Sequence, residues 1–287
     1  MPSEVRGFGY LLITTTTWGL NWSVMKFVLQ QLPPFSMRAV SGALGAAVTF
    51  AVAARLGEKI APPRGQWPIL LLSTFLNFTP FMAFALLALE WLDATEAVII
   101  AYTLPLWAAL IAWPVLGEPL TPRRLVALAL GLGGVIVLMG GSLQADWHKL
   151  PGIFFAFCCA WSFALGIVLT KRTPVAMPPV AAVAWQIGLG TAPLAGLALF
   201  EHPVWGRVTP LGWAALIYMG IVPLTIAYIS WFRALRLLPA STAAIGTLLV
   251  PLFGVLSAAV LLGEPLGPRQ MLALALTVGG VGLATRG

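Results

Sequence analysis

The residues able to do chemistry sit where charge is scarce. Trp18, Asn21, Asn77, Thr79, Tyr102, Trp161, Ser162, Gln186, Tyr228 and Thr247 each fall near the middle of a long apolar run. An amide or hydroxyl in such a run must find a partner or face water, because burying it bare costs about 1 to 3 kcal/mol. Two uses follow: hydrogen-bonded glue between helices, or the wall of a cavity that admits a polar solute. Nothing among them pairs an acid, a base and a nucleophile. His148 and His202 fall between runs with no metal-ligand spacing, and Cys158 and Cys159 are helix neighbours that cannot readily close a disulfide. No Asp, Glu, Lys, Arg or His occupies the centre of a run, so no proton relay or sodium site is expected. The chemistry on offer is recognition of a small molecule, with no metal and no cofactor.

These residues must be positioned by membrane helices. The chain is 60% hydrophobic and 9% charged, where an average soluble domain carries about a quarter charged residues. Ten apolar runs are punctuated by Pro, Gly or charge: 8–28, 34–55, 67–89, 95–116, 122–140, 151–171, 179–200, 210–233, 240–262 and 268–285. Each has the length a helix needs to cross roughly 30 Å of hydrocarbon. The first contains Thr14 to Thr17, whose hydroxyls can bond back to the helix's own carbonyls. It is read as a span rather than a cleaved signal, because it is too long and lacks a basic start and a small-residue cleavage site.

Charge sets the expected orientation. Connections on the side of the termini hold eleven Lys and Arg residues; the other side holds Lys26, Arg38, Lys149, Arg207 and Arg269. That bias predicts both termini in the cytoplasm of a bacterial inner membrane. The net charge of +7 is spread over connection ends, where it fixes topology and meets lipid headgroups, so nucleic acid is not the expected partner. Trp67, Trp91, Trp147, Trp205 and Trp213 fall at predicted interfaces as belt residues, whereas Trp18, Trp22, Trp107 and Trp161 lie deeper.

The chain also contains itself twice. At an offset of 146, residues 88–138 match residues 234–284 at 24 of 51 positions. Leu116-Gly117-Glu118-Pro119-Leu120 recurs as Leu262-Gly263-Glu264-Pro265-Leu266, and Pro105-Leu106 as Pro251-Leu252. Five spans per copy is an odd number, so the second copy enters the membrane from the opposite side. The expected fold is an all-α integral membrane protein of ten transmembrane helices, as two inverted five-helix repeats over residues 1–141 and 151–287. Inverted repeats with a site near the midplane are the arrangement of secondary transporters. Trp18 and Trp161 are expected at similar places in the two first helices. Pro80, Pro105, Pro223 and Pro251 interrupt the third, fourth, eighth and ninth spans, as hinges or static kinks. Glu118 and Glu264 suit the N-terminus of the helix that follows each turn. The small-residue faces, such as Gly42 with Ala46, serve the bundle's own packing or a homodimer.

With its Trp18-Gly19-x-Asn21 element, paired Gly-Glu-Pro-Leu turns and five-plus-five plan, the chain resembles the drug/metabolite transporter superfamily, in particular bacterial exporters with paired EamA domains. Size and aromatic richness are most similar to the YddG group of aromatic amino acid exporters. The resemblance implies alternating access and an amino acid or related metabolite as solute. It also implies that the mid-span polar and aromatic residues contact the solute, from Trp18, Asn21, Asn77 and Thr79 through Tyr102, Trp161 and Ser162 to Tyr228 and Thr247. Relatives with the same skeleton move nucleobases and drugs, which stay open as alternatives. A membrane-embedded enzyme or a non-transporting assembly subunit is the rival class.

Overall fold

A computed structural model describes residues 3–88, 91–92, 100–139, 147–262 and 267–285. Glu90, Asp93, Glu96, Asp146 and the second Gly-Glu-Pro-Leu turn with Glu264 lie outside the described residues, as do the side chains of Trp22 and Lys26. All ten expected spans hold helix among the described residues. The helices are α1 (Ser3–Leu29), α2 (Pro34–Arg55), α3 (Trp67–Asn77), α4 (Thr79–Ala88), α5 (Leu104–Leu116), α6 (Pro122–Met139) and α7 (Leu150–Arg172). They continue with α8 (Pro179–Ala198), α9 (Pro210–Met219), α10 (Ala227–Leu237), α11 (Ala240–Gly246), α12 (Leu249–Leu262) and α13 (Pro268–Thr285). Thr14, Thr15 and Thr17 donate to the carbonyls of Tyr10, Leu12 and Ile13 at 2.9, 3.2 and 2.8 Å, so these hydroxyls bond back to their own helix. The belt tryptophans Trp67, Trp91, Trp147, Trp205 and Trp213 are all exposed.

Four spans are broken, and the prolines mark where. α3 ends at Asn77 and α4 begins at Thr79, with Phe78 between them at φ −122° and ψ −68°. Pro80, Pro105 and Pro251 each fall in the first turn of α4, α5 and α12, where a helix has no use for the missing N–H. The chain therefore turns just before these prolines. Pro223 differs: it lies inside a π-helical stretch, Gly220–Ile226, that joins α9 to α10. The Thr225 hydroxyl there donates to the Gly220 carbonyl at 3.1 Å, supplying a partner to backbone that the wider turn displaces.

Packing shows the inverted symmetry directly. α6 lies antiparallel on α13, its counterpart in the second copy. A Cβ on Gly134 would stand 2.8 Å from the Ala273 carbonyl oxygen, and one on Gly280 would stand 2.6 Å from that of Ala127. Adding 146 turns Gly134 into Gly280 and Ala127 into Ala273, so the two contacts are one contact seen from both copies. α2 packs antiparallel on α8 in the same way, and α1 against α10 and α12 mirrors α7 against α4 and α5. Gly7 presses on Leu237 and Leu238, while Gly152 presses on Trp91 and Leu92.

Acids bind the copies together. The Glu201 carboxylate accepts from the Phe35 and Ser36 N–H groups at 3.0 and 2.6 Å, capping α2, and Glu58 accepts from the Ala181 N–H at 2.8 Å at the start of α8. Each copy thus satisfies helix N-terminal donors of the other. Glu118 follows the same rule rather than serving its own helix: it accepts from the Ala240 N–H at 2.7 Å and from the Ser241 N–H and hydroxyl at 3.2 and 2.6 Å.

Candidate functional site

The crossing of α1 and α7 with the broken spans leaves a cavity of about 120 Å³ in the middle of the bundle. It runs from the midpoint of α1 to the end of the bundle away from Ser3 and Thr285, since Met25, Arg38, Ala88 and Ala156 line its upper part. Trp18, Asn21 and Met25 recur at spacings of three and four, which puts them on one face of α1. At the base, Trp18 meets Tyr228 edge-on at 5.2 Å between ring centroids, Phe163 at 6.3 Å and Trp231 at 5.7 Å. Tyr228 stacks on Phe78 at 4.1 Å. The result is an aromatic box whose rings hold one another in place. The Trp18 indole N–H donates to the Pro223 carbonyl at 3.2 Å, so that carbonyl, at the π-helical stretch, is taken by the protein itself.

Below the box the bundle is shut. Leu235, Leu238, Ala240, Ile167 and Leu11 are buried, and the Lys171 ammonium donates to the carbonyls of Leu235 and Leu238. Arg172 reaches the Val115 carbonyl beside them. A second space of about 260 Å³, lined by Thr170, Lys171, Val183, Gln186 and Arg236, opens at this end and shares no lining residue with the central cavity.

The residues singled out from sequence divide. Trp18, Asn21, Tyr102, Tyr228 and Thr247 line the central cavity. Asn77, Thr79, Trp161 and Ser162 do not. Asn77 is fully buried beneath Gly166, donating to the Ser73 carbonyl at 2.8 Å and the Thr170 hydroxyl at 3.0 Å, in a polar knot that also takes in Gln186. Thr79 donates to the Gly190 carbonyl and Ser162 to the Cys159 carbonyl. Trp161 is 45% exposed on the outer face of α7. The structural counterpart of Trp18 is Phe163, because the first two helices of the copies align at an offset of 145 (Gly7 with Gly152, Pro34 with Pro179) and not 143. Two residues turn a helix by about 200°, which sends Trp161 to the outside.

Sequence reasoning missed one lining residue of a different kind. Arg38 was assigned to a connection, yet it is the fifth residue of α2 and lines the cavity, its Nη2 donating to the Met25 sulfur at 2.8 Å. A signal was present: Arg38 stands four and seven residues before Gly42 and Gly45, on the side of α2 that carries its buried small residues. Two buried polar atoms on this wall have no partner among the described residues, the Arg38 Nε and the Asn21 Oδ1. The arrangement can accept an apolar ring at its base and polar groups at its mouth. Among the described residues there is no group of His, Cys, Asp and Glu that could hold a metal ion.

Comparison with known proteins agrees on the class. The EamA-like transporter family matches the chain twice, at residues 5–140 and 150–286. An aromatic amino acid exporter, YddG, of Ancylobacter novellus is 30% identical over 284 residues, covering 93% of each chain. A probable amino-acid metabolite efflux pump of Salmonella typhimurium is 28% identical over 290 residues, covering 96% of this chain and 94% of its own. One solved crystal structure superposes with a TM-score of 0.85 over 99% of this chain and 96% of the other at 24% identity, which establishes the shared fold. With a doubled family match over nearly its whole length, two symmetric repeats and a central cavity, the chain belongs to the EamA-like transporter family of the drug/metabolite transporter superfamily.

Proposed function

We propose that the protein is a bacterial inner-membrane exporter of aromatic and other large apolar amino acids, working by alternating access between its two inverted repeats. The observation that carries this reading is the aromatic box of Trp18, Phe163 and Tyr228 at the blind end of a cavity that is shut on one side only. A ring entering it exchanges water for edge-on and stacked contacts, so affinity grows with the size of the side chain. The names of the two relatives, an aromatic amino acid exporter and an amino-acid efflux pump, point the same way. The excess of cations on the terminal side supports cytoplasmic termini, which makes the present state outward-facing with its cytoplasmic half closed. Release to the outside then needs only that the solute leave, and reloading needs the repeats to exchange shapes. The turns before Pro80, Pro105 and Pro251 and the π-helical stretch at Pro223 are the places where the four broken helices can bend. The drive is the solute's own gradient or exchange.

Counterflow in proteoliposomes tests the reading. Vesicles preloaded with tryptophan or phenylalanine should accumulate labelled tryptophan, while those preloaded with glycine should accumulate far less. Equal accumulation with every amino acid, or none with any, would sink the substrate assignment.

A further inference from the structure

We propose that Arg38 holds the carboxylate of the solute, so that the site selects α-amino acids by their acid group and orients them with the side chain toward the closed end. This rests on the amino acid reading above. The backbone of Arg38 stands about 6 Å along α2 from its start, at 1.5 Å per residue, and its side chain lines the cavity. It offers several N–H donors, yet its partner among the described residues is the Met25 thioether, a weak acceptor, and its Nε has none. The ion pair found among the described residues, Arg124 with Glu118, is at the other end of the bundle. A cation held inside a membrane bundle without an anion is costly, and such a residue marks a solute or ion pathway. Arg presents a planar fork that fits a carboxylate bidentately.

Packing does not ask for this charge. At the offset of 145 the counterpart of Arg38 is Val183, which occupies the equivalent place in α8 without a charge, and the α2–α8 contact is made by small residues such as Gly42 and Ala46 against Thr191 and Gly188. The rest of the cavity suits the same ligand. The Asn21 Oδ1, one turn from Met25 along α1, is an unused acceptor placed between the guanidinium and Trp18, where the ammonium of a bound amino acid would lie. Carboxylate at the mouth, ammonium at Asn21 and ring in the box follow the order of groups in the solute itself.

The test compares two ligands that differ at one group, L-tryptophan and L-tryptophanamide, by calorimetry on purified full-length protein. The parent should bind tryptophan about 10- to 100-fold more tightly than the amide, the span expected for charge-assisted hydrogen bonds. Arg38→Gln should weaken tryptophan and leave the amide unchanged, bringing the two within about threefold of each other, and Arg38→Lys should restore part of the gap because it keeps the charge without the fork. A purely structural role for Arg38 would weaken both ligands alike and leave their ratio intact, which overturns the proposal. So does a parent that binds both equally, a result that needs no variant to fold and leaves the aromatic reading standing. Failure of both ligands to bind the parent overturns that reading and this inference with it.

Discussion

At the end of the bundle that carries Ser3 and Thr285, Leu235, Leu238 and Ala240 are buried against α1 and α7; at the other end, Met25, Arg38 and Ala88 line the central cavity. The two ends are built from repeated sequence, and Leu92 stands to Gly152 as Leu238 stands to Gly7. At the closed end, polar contacts bridge the helices. Glu118 and Lys171 stitch α5, α7, α10 and α11 together at the closed end. The lesson is that the repeat encodes two equivalent ends, and that at the shut one a few hydrogen bonds tie together the helices that meet there.

The comparison presupposes a seam that stays fixed while the ends change, and the largest effect should come from breaking it. Gly280→Val places a branched side chain where α13 already touches the backbone of α6 at Ala127 and Gly131. Overpacking of this kind costs about 3 kcal/mol, and a backbone neighbour cannot yield. Little folded protein should be recovered in detergent, whereas Gly279→Val, with nothing within 4 Å of its added Cβ, should be recovered like the parent. Equal recovery of the two would show that the seam is not tight.

Next in size is the latch. Lys171 has Lys26 as its counterpart at the offset of 145. If one latch serves each end in turn, losing it should bias the state in opposite directions. Lys171→Met removes charge-assisted hydrogen bonds worth about 1.5 to 3 kcal/mol and should expose a cysteine placed at Val183, buried here and the counterpart of the cavity-lining Arg38, in a protein whose Cys158 and Cys159 are replaced by Ala, to a membrane-impermeant thiol reagent. Lys26→Met should instead leave Val183 protected and keep a cysteine at Ala85, on the cavity wall, reactive. Parallel shifts in both variants would mean that the ends are not equivalent.

How much of this was legible beforehand depended on what a pattern can carry. Span lengths and the Gly-Glu-Pro-Leu duplication are properties of composition and order, and they led to ten spans and an inverted repeat. Which way a side chain points is set by helix phase, and there a two-residue slip put Trp161 on the wall that Phe163 occupies. Arg38 was misplaced for a related reason: a cation near a run's end looks like a connection residue until the broken spans show that the cavity reaches it. Asn77 looked like a site residue because an amide in hydrocarbon needs a partner, and the structure supplies acceptors for its NH2 in Ser73 and Thr170, leaving its Oδ1 without a partner among the described residues. The helix that Glu118 caps, from the other copy, follows from the three-dimensional pairing and not from local sequence.

The contrast between a tryptophan inside the bundle and one on its outer face gives a smaller effect. Trp18→Ala removes ring pairs with Tyr228, Phe163 and Trp231, each worth about 0.5 to 1.5 kcal/mol beyond burial. Transport of tryptophan should fall more than transport of leucine, read as separate KM values. Trp161→Ala, at an exposed position, should leave both unchanged. If Trp161→Ala is the variant that loses aromatic selectivity, the assignment of the cavity to α1 and Phe163 is wrong.

The smallest expected effect separates two ways of closing one end. Arg124 lies 3.7 Å from Glu118, a long ion pair between side chains that keep 20% and 13% of their surface accessible. Pairs of that kind contribute about 0 to 1 kcal/mol, because water screens them and ordering two long side chains costs entropy. Arg124 also donates to the Pro119 carbonyl at 3.0 Å, within its own turn, so part of its bonding never crosses the closure. Glu118, in contrast, accepts three hydrogen bonds from the first residues of α11. Glu118→Ala should therefore speed labelling of a cysteine at Val183 and lower the melting temperature, since it strips the cap from the Ala240 and Ser241 N–H groups of a short helix. Arg124→Gln should change neither by more than the scatter between preparations. If Arg124→Gln opens the end as fully as Glu118→Ala, the closure is held by the charge pair and not by the cap, and raising the salt concentration should then open the parent as well.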